Sequence, residues 1–148
     1  MLIRRNRKPI ATVLVGANLL FIWINSLLPA SVSAAFSGWI KALLGFVLDD
    51  TGGLLQGEGI LRKIAHFLEF ASFGFLLGWR ISMNLKNKWI LPTLGLGVSV
   101  APVDELLQHL SPGRAPRITD VGIDTAGFLL GISLLALGKH IRSKKQNN

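Results

Sequence analysis

The sequence predicts an all-α integral membrane protein, a bundle of four transmembrane helices with one amphipathic helix at the interface. Half of its 148 residues are hydrophobic and 16% are charged, whereas about a quarter of an average soluble chain is charged. Apolar stretches of roughly 20 residues cross a bilayer, and the chain has room for about four of them. This composition excludes an ordinary water-soluble enzyme. The absence of cysteine excludes disulfides, thiolate metal sites and cysteine nucleophiles.

The first predicted span covers residues 10–28, where an uncharged apolar stretch ends at Pro29. A cleaved signal peptide is the alternative, because basic residues precede this stretch and small residues follow it. The stretch is longer than the roughly 7–15 residues of a usual signal core, which favours a span. Apolar residues then recur at helical spacing over residues 33–48 and predict an amphipathic helix lying at the interface.

Three further spans are predicted over residues 60–79, 89–105 and 118–137. Lysine and arginine are enriched at the N-terminus, between the second and third spans and at the C-terminus, so both termini are expected in the cytoplasm. All eight acidic residues then fall on the outer side. We therefore interpret the net charge of +8 as a signal of topology and of contact with anionic membrane lipids, with no nucleic-acid partner.

Titratable residues cluster at the predicted outer ends of the last three spans. Charged groups in apolar spans cost several kcal/mol unless they are paired or hydrated, so they point to function. With the predicted orientation, these groups converge at one depth. The titratable residues are Lys63, His66 and Glu69 in the second span, Asp104 and Glu105 at the end of the third, Arg114 in the following turn, and Asp120 and Asp124 in the fourth, and the polar residue Gln108 lies beside them.

Glycines at four-residue spacing predict that the second and fourth spans pack closely below this cluster. Gly74 and Gly78 bound the pentapeptide Gly-Phe-Leu-Leu-Gly in the second span, and Gly127 and Gly131 bound the same pentapeptide in the fourth. Small residues four apart allow membrane helices to approach closely. We expect the two helices to touch near mid-membrane and to open into a polar cleft above.

Other interpretations of the charged residues stay open. Arg62 is expected to extend to the lipid headgroups, and an ion pair between Asp120 and Arg114 would tie the loop to a helix end without any role in binding. Nitrogen and oxygen ligands for a divalent cation are available from His66, Glu69, Glu105, Asp120 and Asp124. No spacing typical of metal ligands is present, and Lys63 and Arg114 oppose a cation, so we predict no metal and no cofactor.

These motifs resemble the VanZ-like family of small bacterial membrane proteins. The resemblance covers about residues 60–131 and is carried by Arg62–Phe70, Asp104–Gln108, Pro112–Arg114, Asp120–Val121, Gly127 and Gly131. It implies a multi-pass protein of the bacterial plasma membrane that is associated with low-level teicoplanin resistance. The polar positions it implies are Lys63, His66, Glu105, Gln108, Arg114 and Asp120. Asp124 departs from the family pattern, which often has asparagine there.

The leading hypothesis is that the cleft binds an anionic headgroup of a membrane lipid, or of a cell-wall precursor or polymer, and enzyme and binder stay equally open. In this interpretation the catalytic candidates, which transfer protons, are His66, Glu105 and Asp120. The predicted substrate-binding residues are Lys63, Glu69, Gln108, Arg114 and Asp124. The alternatives are a transporter or scramblase of lipids or small molecules, and a non-catalytic membrane adaptor. The oligomeric state stays open.

Overall fold

The structure is a computed structural model that describes residues 7–35, 38–39, 60–85, 88–114 and 117–147. Within these ranges the chain is helical apart from short turns, and no strand occurs. The helices are α1 (Arg7–Leu27), α2 (Ile60–Leu85), α3 (Ile90–Val98), α4 (Val100–His109) and α5 (Ile118–Asn147). The all-α prediction is confirmed for this part of the chain.

Three segments of the described chain are long and apolar enough to cross a membrane. They are α1, the consecutive helices α3 and α4 over Ile90–His109, and α5 over Ile118–Gln146. Ser99 joins α3 to α4 with its backbone still in the right-handed helical region, so the two helices continue one another. α2 is 26 residues long and carries four charged side chains, and it is not among these three segments.

The helices extend beyond several of the predicted span boundaries. α2 continues past residue 79 to Leu85, and α5 continues past residue 137 to Asn147. Hydropathy marks the end of the apolar stretch, whereas lysine, arginine and glutamine beyond it remain good helix formers. Of the interfacial helix predicted over residues 33–48, residues 33–35 and 38–39 are helical, and the others lie outside the described residues.

The bundle buries polar side chains and exposes many large apolar ones. The buried polar residues are Ser26, His66, Ser82, Thr93, Asp104, Glu105, Gln108, Ser111, Asp120 and Asp124. Exposed leucine, isoleucine and valine side chains lie along α1, α3 and α5. A soluble domain shows the opposite preference, so this surface is suited to contact with lipid chains.

α2 and α5 make the closest helix contact, and glycine permits it. A Cβ atom at Gly127 would overlap the carbonyl oxygen of Phe67, and one at Gly131 would overlap that of Ala71. The contacts advance in the same direction along both helices, so α2 and α5 run parallel. The predicted glycine contact between the second and fourth spans is confirmed.

α1 packs antiparallel against α2 through polar contacts. The Asn18 side-chain amide donates to Ser72 Oγ at 2.7 Å, and Arg80 Nε donates to Thr12 Oγ1 at 2.6 Å. A segment that supplies such contacts is part of the bundle. This favours a retained first span over a cleaved signal peptide.

An apolar core fills the middle of the bundle. The Phe73 and Phe128 rings lie with their centroids 5.9 Å apart, and the Phe128 ring occupies the space beside Gly97 where a Cβ would lie. The buried apolar residues are Ile22, Phe70, Phe73, Trp89, Ala101, Phe128, Ile132 and Leu135. They separate the acidic end of the described bundle from its basic end.

We predict that Gly131→Ala destabilises the protein and that Gly138→Ala does not. A methyl group at residue 131 meets the α2 backbone, which cannot rotate aside, and overpacking of this kind costs about 1–3 kcal/mol. The matched position, Gly138, lies on the same helix with nothing within 4 Å of its Cβ site. Thermal unfolding in one detergent compares the two variants. Equal unfolding temperatures would show that α2 and α5 do not approach this closely.

Candidate functional site

One end of the bundle brings polar side chains from four helices together, and we call this group the polar cluster. α1 and α4 end here, and α2 and α5 begin here. Its members are Asn25 and Ser26 of α1, Arg62, Lys63, His66 and Glu69 of α2, Asp104, Glu105 and Gln108 of α4, Arg114 of the following turn, and Asp120 and Asp124 of α5. The three predicted stretches do converge, and α1 contributes a fourth.

Asp104 lies at the centre of the polar cluster and is 0% exposed. Its Oδ1 accepts a hydrogen bond from Ser26 Oγ at 2.5 Å, and its Oδ2 accepts one from Gln108 Nε2 at 2.9 Å. Gln108 follows four residues later on the same helix, a spacing that places its amide beside the carboxylate. The carboxylate therefore links α1 to α4 and is held in one orientation.

Arg62 joins α2 to two other helices. Its Nη2 donates to Asp120 Oδ2 at 3.1 Å and to Gln108 Oε1 at 3.3 Å. The expectation that Arg62 extends to the lipid headgroups is therefore wrong. Acceptors from α4 and α5 lie within its reach inside the bundle, and a partly buried charge is stabilised by such partners.

Arg114 closes the end of α1 instead of pairing with Asp120. Its Nη1 donates to the Ser26 carbonyl at 3.2 Å, and its Nη2 donates to the Asn25 carbonyl at 3.3 Å. The last carbonyls of a helix lack amide partners and attract a cation. Of the alternatives left open for Arg114, the structure does not show the ion pair with Asp120. Burial lowers the pKa of Arg114, and the charge of Arg62 acts in the same direction, but an arginine keeps its proton in proteins.

The turn after α4 is fastened to the segment after α1. Ser111 Oγ donates to the Ser26 carbonyl at 2.9 Å, and the Ala30 amide donates to the Pro112 carbonyl at 3.2 Å. Gly113 has a φ of +78°, a left-handed conformation that favours glycine. The turn therefore holds Arg114 in a defined position over the end of α1.

Glu69 and Glu105 each use one carboxylate oxygen. Asn25 Nδ2 donates to Glu69 Oε1 at 2.7 Å, and the backbone amide of Arg117 donates to Glu105 Oε1. The second oxygen of each glutamate is buried without a hydrogen-bond partner in the described part of the chain. Both glutamates therefore fasten neighbouring segments to the cluster and keep one acceptor unused.

A narrow recess lies between the first turns of α2 and α5. It has an empty volume of about 170 Å³, is too narrow to admit a water molecule, and is lined by Arg62, Lys63, His66, Asp120, Ile123 and Asp124. The structure thus replaces the predicted open cleft with a closed recess, because the glycine contacts below hold the two helices together. Lys63 is half-buried and has no hydrogen bond or ion pair with any described residue.

His66 and Asp124 form the buried side of this recess. His66 Nδ1 lies 3.7 Å from Asp104 Oδ2 and 3.7 Å from Asp124 Oδ1, which is beyond hydrogen-bond distance. Neither this nitrogen nor either Asp124 oxygen has a hydrogen-bond partner among the described residues. One donor atom from each of the three residues lies within 4.8 Å of the others. The three side chains can surround a cation.

Sequence reasoning missed three members of the polar cluster and predicted no role for a fourth, Asp104. Arg62 is expected at the lipid headgroups, and Asn25 and Ser26 lie within the first predicted span without a predicted role. Two adjacent polar residues at the end of that span, at the depth of the other charged groups, were the available signal. The spacing of Asp104 and Gln108 was a second one.

Comparison with protein-family models gives a match to VanZ/LLP1 over residues 5–139. This range contains the complete polar cluster. Comparison with the curated proteins and with the solved structures gives no significant match.

We predict that Arg62→Met destabilises the protein more than Arg117→Met. Methionine keeps the apolar stem but leaves the Asp120 carboxylate and the Gln108 amide without their donor, a loss of about 1–3 kcal/mol. The Arg117 side chain is exposed and serves as the control. In a double-mutant cycle, Asp120→Asn should cost less in the Arg62→Met background than in the wild type. Additive losses in thermal unfolding would contradict the pairing.

Proposed function

This chain belongs to the VanZ/LLP1 family, and from this premise we propose that it binds an anionic headgroup of a cell-envelope lipid, or of a cell-wall precursor or polymer. The ligand binds where the recess between α2 and α5 opens at the surface. One observation carries the proposal. Lys63 lines the recess and makes no hydrogen bond or ion pair within the described part of the chain.

Lys63 is the cation of the cluster that is available to a ligand. Arg62 binds Asp120 and Gln108, and Arg114 binds the end of α1. A lysine ammonium is a flexible point charge that binds phosphate or carboxylate oxygens. Contact of the ligand with Glu69, Gln108, Arg114 or Asp124 stays a prediction. Asp124 lines the recess, and the other three side chains are hydrogen-bonded to neighbouring segments.

Proton transfer belongs to the same proposal. Asp120 lines the recess with Lys63, whereas His66 lies at its buried side, below a headgroup held at the surface. Glu105, also predicted to be catalytic, is bonded to the Arg117 amide and does not line the recess. We therefore assign proton transfer to Asp120, and proton transfer by His66 and Glu105 stays a prediction. Binding by Lys63 does not depend on proton transfer.

The proposal includes four spans, with α2 as the second, and a polar cluster that faces outward across the bacterial plasma membrane. All acidic residues of the described chain belong to this cluster. The opposite end of the bundle carries the basic residues Arg7, Lys8, Arg80, Lys88, Lys139, Arg142, Lys144 and Lys145. The positive-inside rule supports a cytoplasmic location for that basic end. An outward site meets envelope headgroups and the drug teicoplanin, which gives the resistance association its physical basis.

The packing below the recess favours binding over transport. Gly127 and Gly131 bring the α5 backbone onto α2, and the apolar core lies beneath the polar cluster. Along that route a headgroup would meet mainly the apolar side chains of this core. Transport or scrambling through the bundle therefore has less support than a site that ends within the outer half of the membrane.

We predict that the polar cluster faces outward, and single-cysteine variants test this topology. They are informative because the chain has no cysteine of its own. Pro112 lies in the turn beside the polar cluster, Gln146 lies near the end of α5, and both are exposed. In spheroplasts, a membrane-impermeant maleimide should label Pro112→Cys directly and Gln146→Cys only after permeabilisation. The reverse pattern would place the cluster on the cytoplasmic side and exclude an envelope ligand.

We predict that Lys63→Gln weakens headgroup binding about fivefold, the effect of losing a contact of about 1 kcal/mol. The measurement is native mass spectrometry of the purified protein with phosphatidylglycerol and with phosphatidylcholine. Lys144→Gln, an exposed lysine at the other end of the bundle, controls for general charge and should keep the preference for the anionic lipid.

The same pair of variants is compared in cells. Protection from teicoplanin should fall with Lys63→Gln and persist with Lys144→Gln. If Lys63→Gln keeps both the lipid preference and the protection, the recess is not the headgroup site.

A further inference from the structure

We propose that His66, Asp104 and Asp124 bind one divalent transition-metal ion, of the zinc type, at the buried side of the recess. Each ligand comes from a different helix, α2, α4 and α5. The proposal goes beyond headgroup binding and does not depend on it. The donor set also differs from the one considered from the sequence, because Asp104 takes the place of Glu69, Glu105 and Asp120.

The spacing of the three donors is suited to an ion. His66 Nδ1 lies 3.7 Å from one oxygen of each aspartate, and one donor atom from each of the three residues lies within 4.8 Å of the others. Two ligands bound to zinc at about 2.0–2.2 Å subtend a roughly tetrahedral angle at this separation. The separation is too long for a direct hydrogen bond, and the recess is too narrow for a bridging water.

Buried nitrogen and oxygen atoms without hydrogen-bond partners also indicate a metal ion. Asp124 is 1% exposed and His66 is 7% exposed, yet both Asp124 oxygens and His66 Nδ1 lack hydrogen-bond partners in the described chain. Buried charges are paired or coordinate metals, because an isolated carboxylate in an apolar medium is very unfavourable. Arg62, which lines the same recess, is bonded to Asp120 instead. A metal ion supplies the missing partner for the aspartate and the histidine together.

Asp104, the third ligand, is already oriented by hydrogen bonds from other side chains. Ser26 and Gln108 each donate a hydrogen bond to one oxygen of Asp104, and each oxygen keeps a second lone pair. Carboxylates that bind metals are usually held by such outer hydrogen bonds. Gln108 is itself held by Arg62. The carboxylate is therefore prepared for coordination before an ion arrives.

The charge of the polar cluster also suits a divalent cation. The described cluster contains five carboxylates and three cationic side chains, so it carries two excess negative charges when all are ionised. From the sequence, Lys63 and Arg114 oppose a cation. In the structure Arg114 is bonded to the α1 carbonyls, and Lys63 is a flexible side chain that can extend away from the ion.

The donor types select among the divalent ions. One imidazole nitrogen and two carboxylate oxygens suit zinc, cobalt or manganese. Magnesium requires near-octahedral oxygen coordination and usually keeps several waters, which this recess does not admit. Zinc is usually four-coordinate, and the second Asp124 oxygen, which has no hydrogen-bond partner in the described chain, is available as a further donor.

The test is metal binding by the full-length protein in detergent, after removal of metals with a chelator. Zinc titration and elemental analysis should give one zinc per chain for the wild type, and excess magnesium should not displace it. His66→Ala and Asp124→Asn should lose stoichiometric zinc. Ser26→Ala, which removes only an outer hydrogen bond, should weaken zinc binding about 10–100-fold. His109→Ala, an exposed histidine on α4, is the matched control and should keep its zinc.

Two wild-type measurements keep the proposal testable even if ligand variants fold poorly. Zinc should raise the unfolding temperature of the metal-free protein, and bound cobalt should give the visible absorption of a low-symmetry nitrogen and oxygen site. A wild type that binds no zinc, or an Asp124→Asn variant with wild-type affinity, would overturn the proposal. Lys63→Gln should keep its zinc while losing its lipid preference, so the two proposals fail separately.

Discussion

The backbone contact between α2 and α5 is the constraint on which the arrangement of the site depends. Gly127 lies against the carbonyl of Phe67, the residue next to His66, and Asp124 lies one turn before Gly127. Because the helices touch at this level, the His66 imidazole and the Asp124 carboxylate, which lie above the contact, are brought to within 3.7 Å. A bulkier residue at Gly127 would separate the helix axes of α2 and α5 and widen the recess between them. The small residues therefore set the distance between the chemical groups.

Polar contacts then specify how the other helices join this pair. Between helices in a bilayer there is little hydrophobic driving force, so close packing and hydrogen bonds carry the association. Ser26 attaches α1 to Asp104 of α4, and Arg62 attaches α2 to Gln108 and Asp120. A connected network therefore holds Asp104, Gln108, Arg62 and Asp120 in place, and a change to one of these residues is expected to affect the others.

The sequence was sufficient for the features that depend on periodicity along one helix. The all-α fold, the glycine contact and the convergence of charged groups at one end follow from local spacing and from the distribution of charge. The pairing of Arg62 with Asp120 does not, because these residues lie on different helices and their approach depends on helix rotation. Asn25 and Ser26 were overlooked because polar residues are tolerated near span ends, and only the packed structure shows their acceptors.

The recess separates two kinds of chemistry by depth. Its width excludes water and therefore a phosphate group, so a headgroup can be held only at the surface, where Lys63 lies. The buried side presents His66 and Asp124, whose donor atoms have no described hydrogen-bond partners and whose spacing suits a smaller occupant. Asp124 stands where the family pattern often has asparagine, which carries no charge and one fewer oxygen donor. A carboxylate at this position is thus the feature that makes the buried side of the recess suited to a cation, whereas Lys63, which matches the family pattern, is the residue that we propose for headgroup binding.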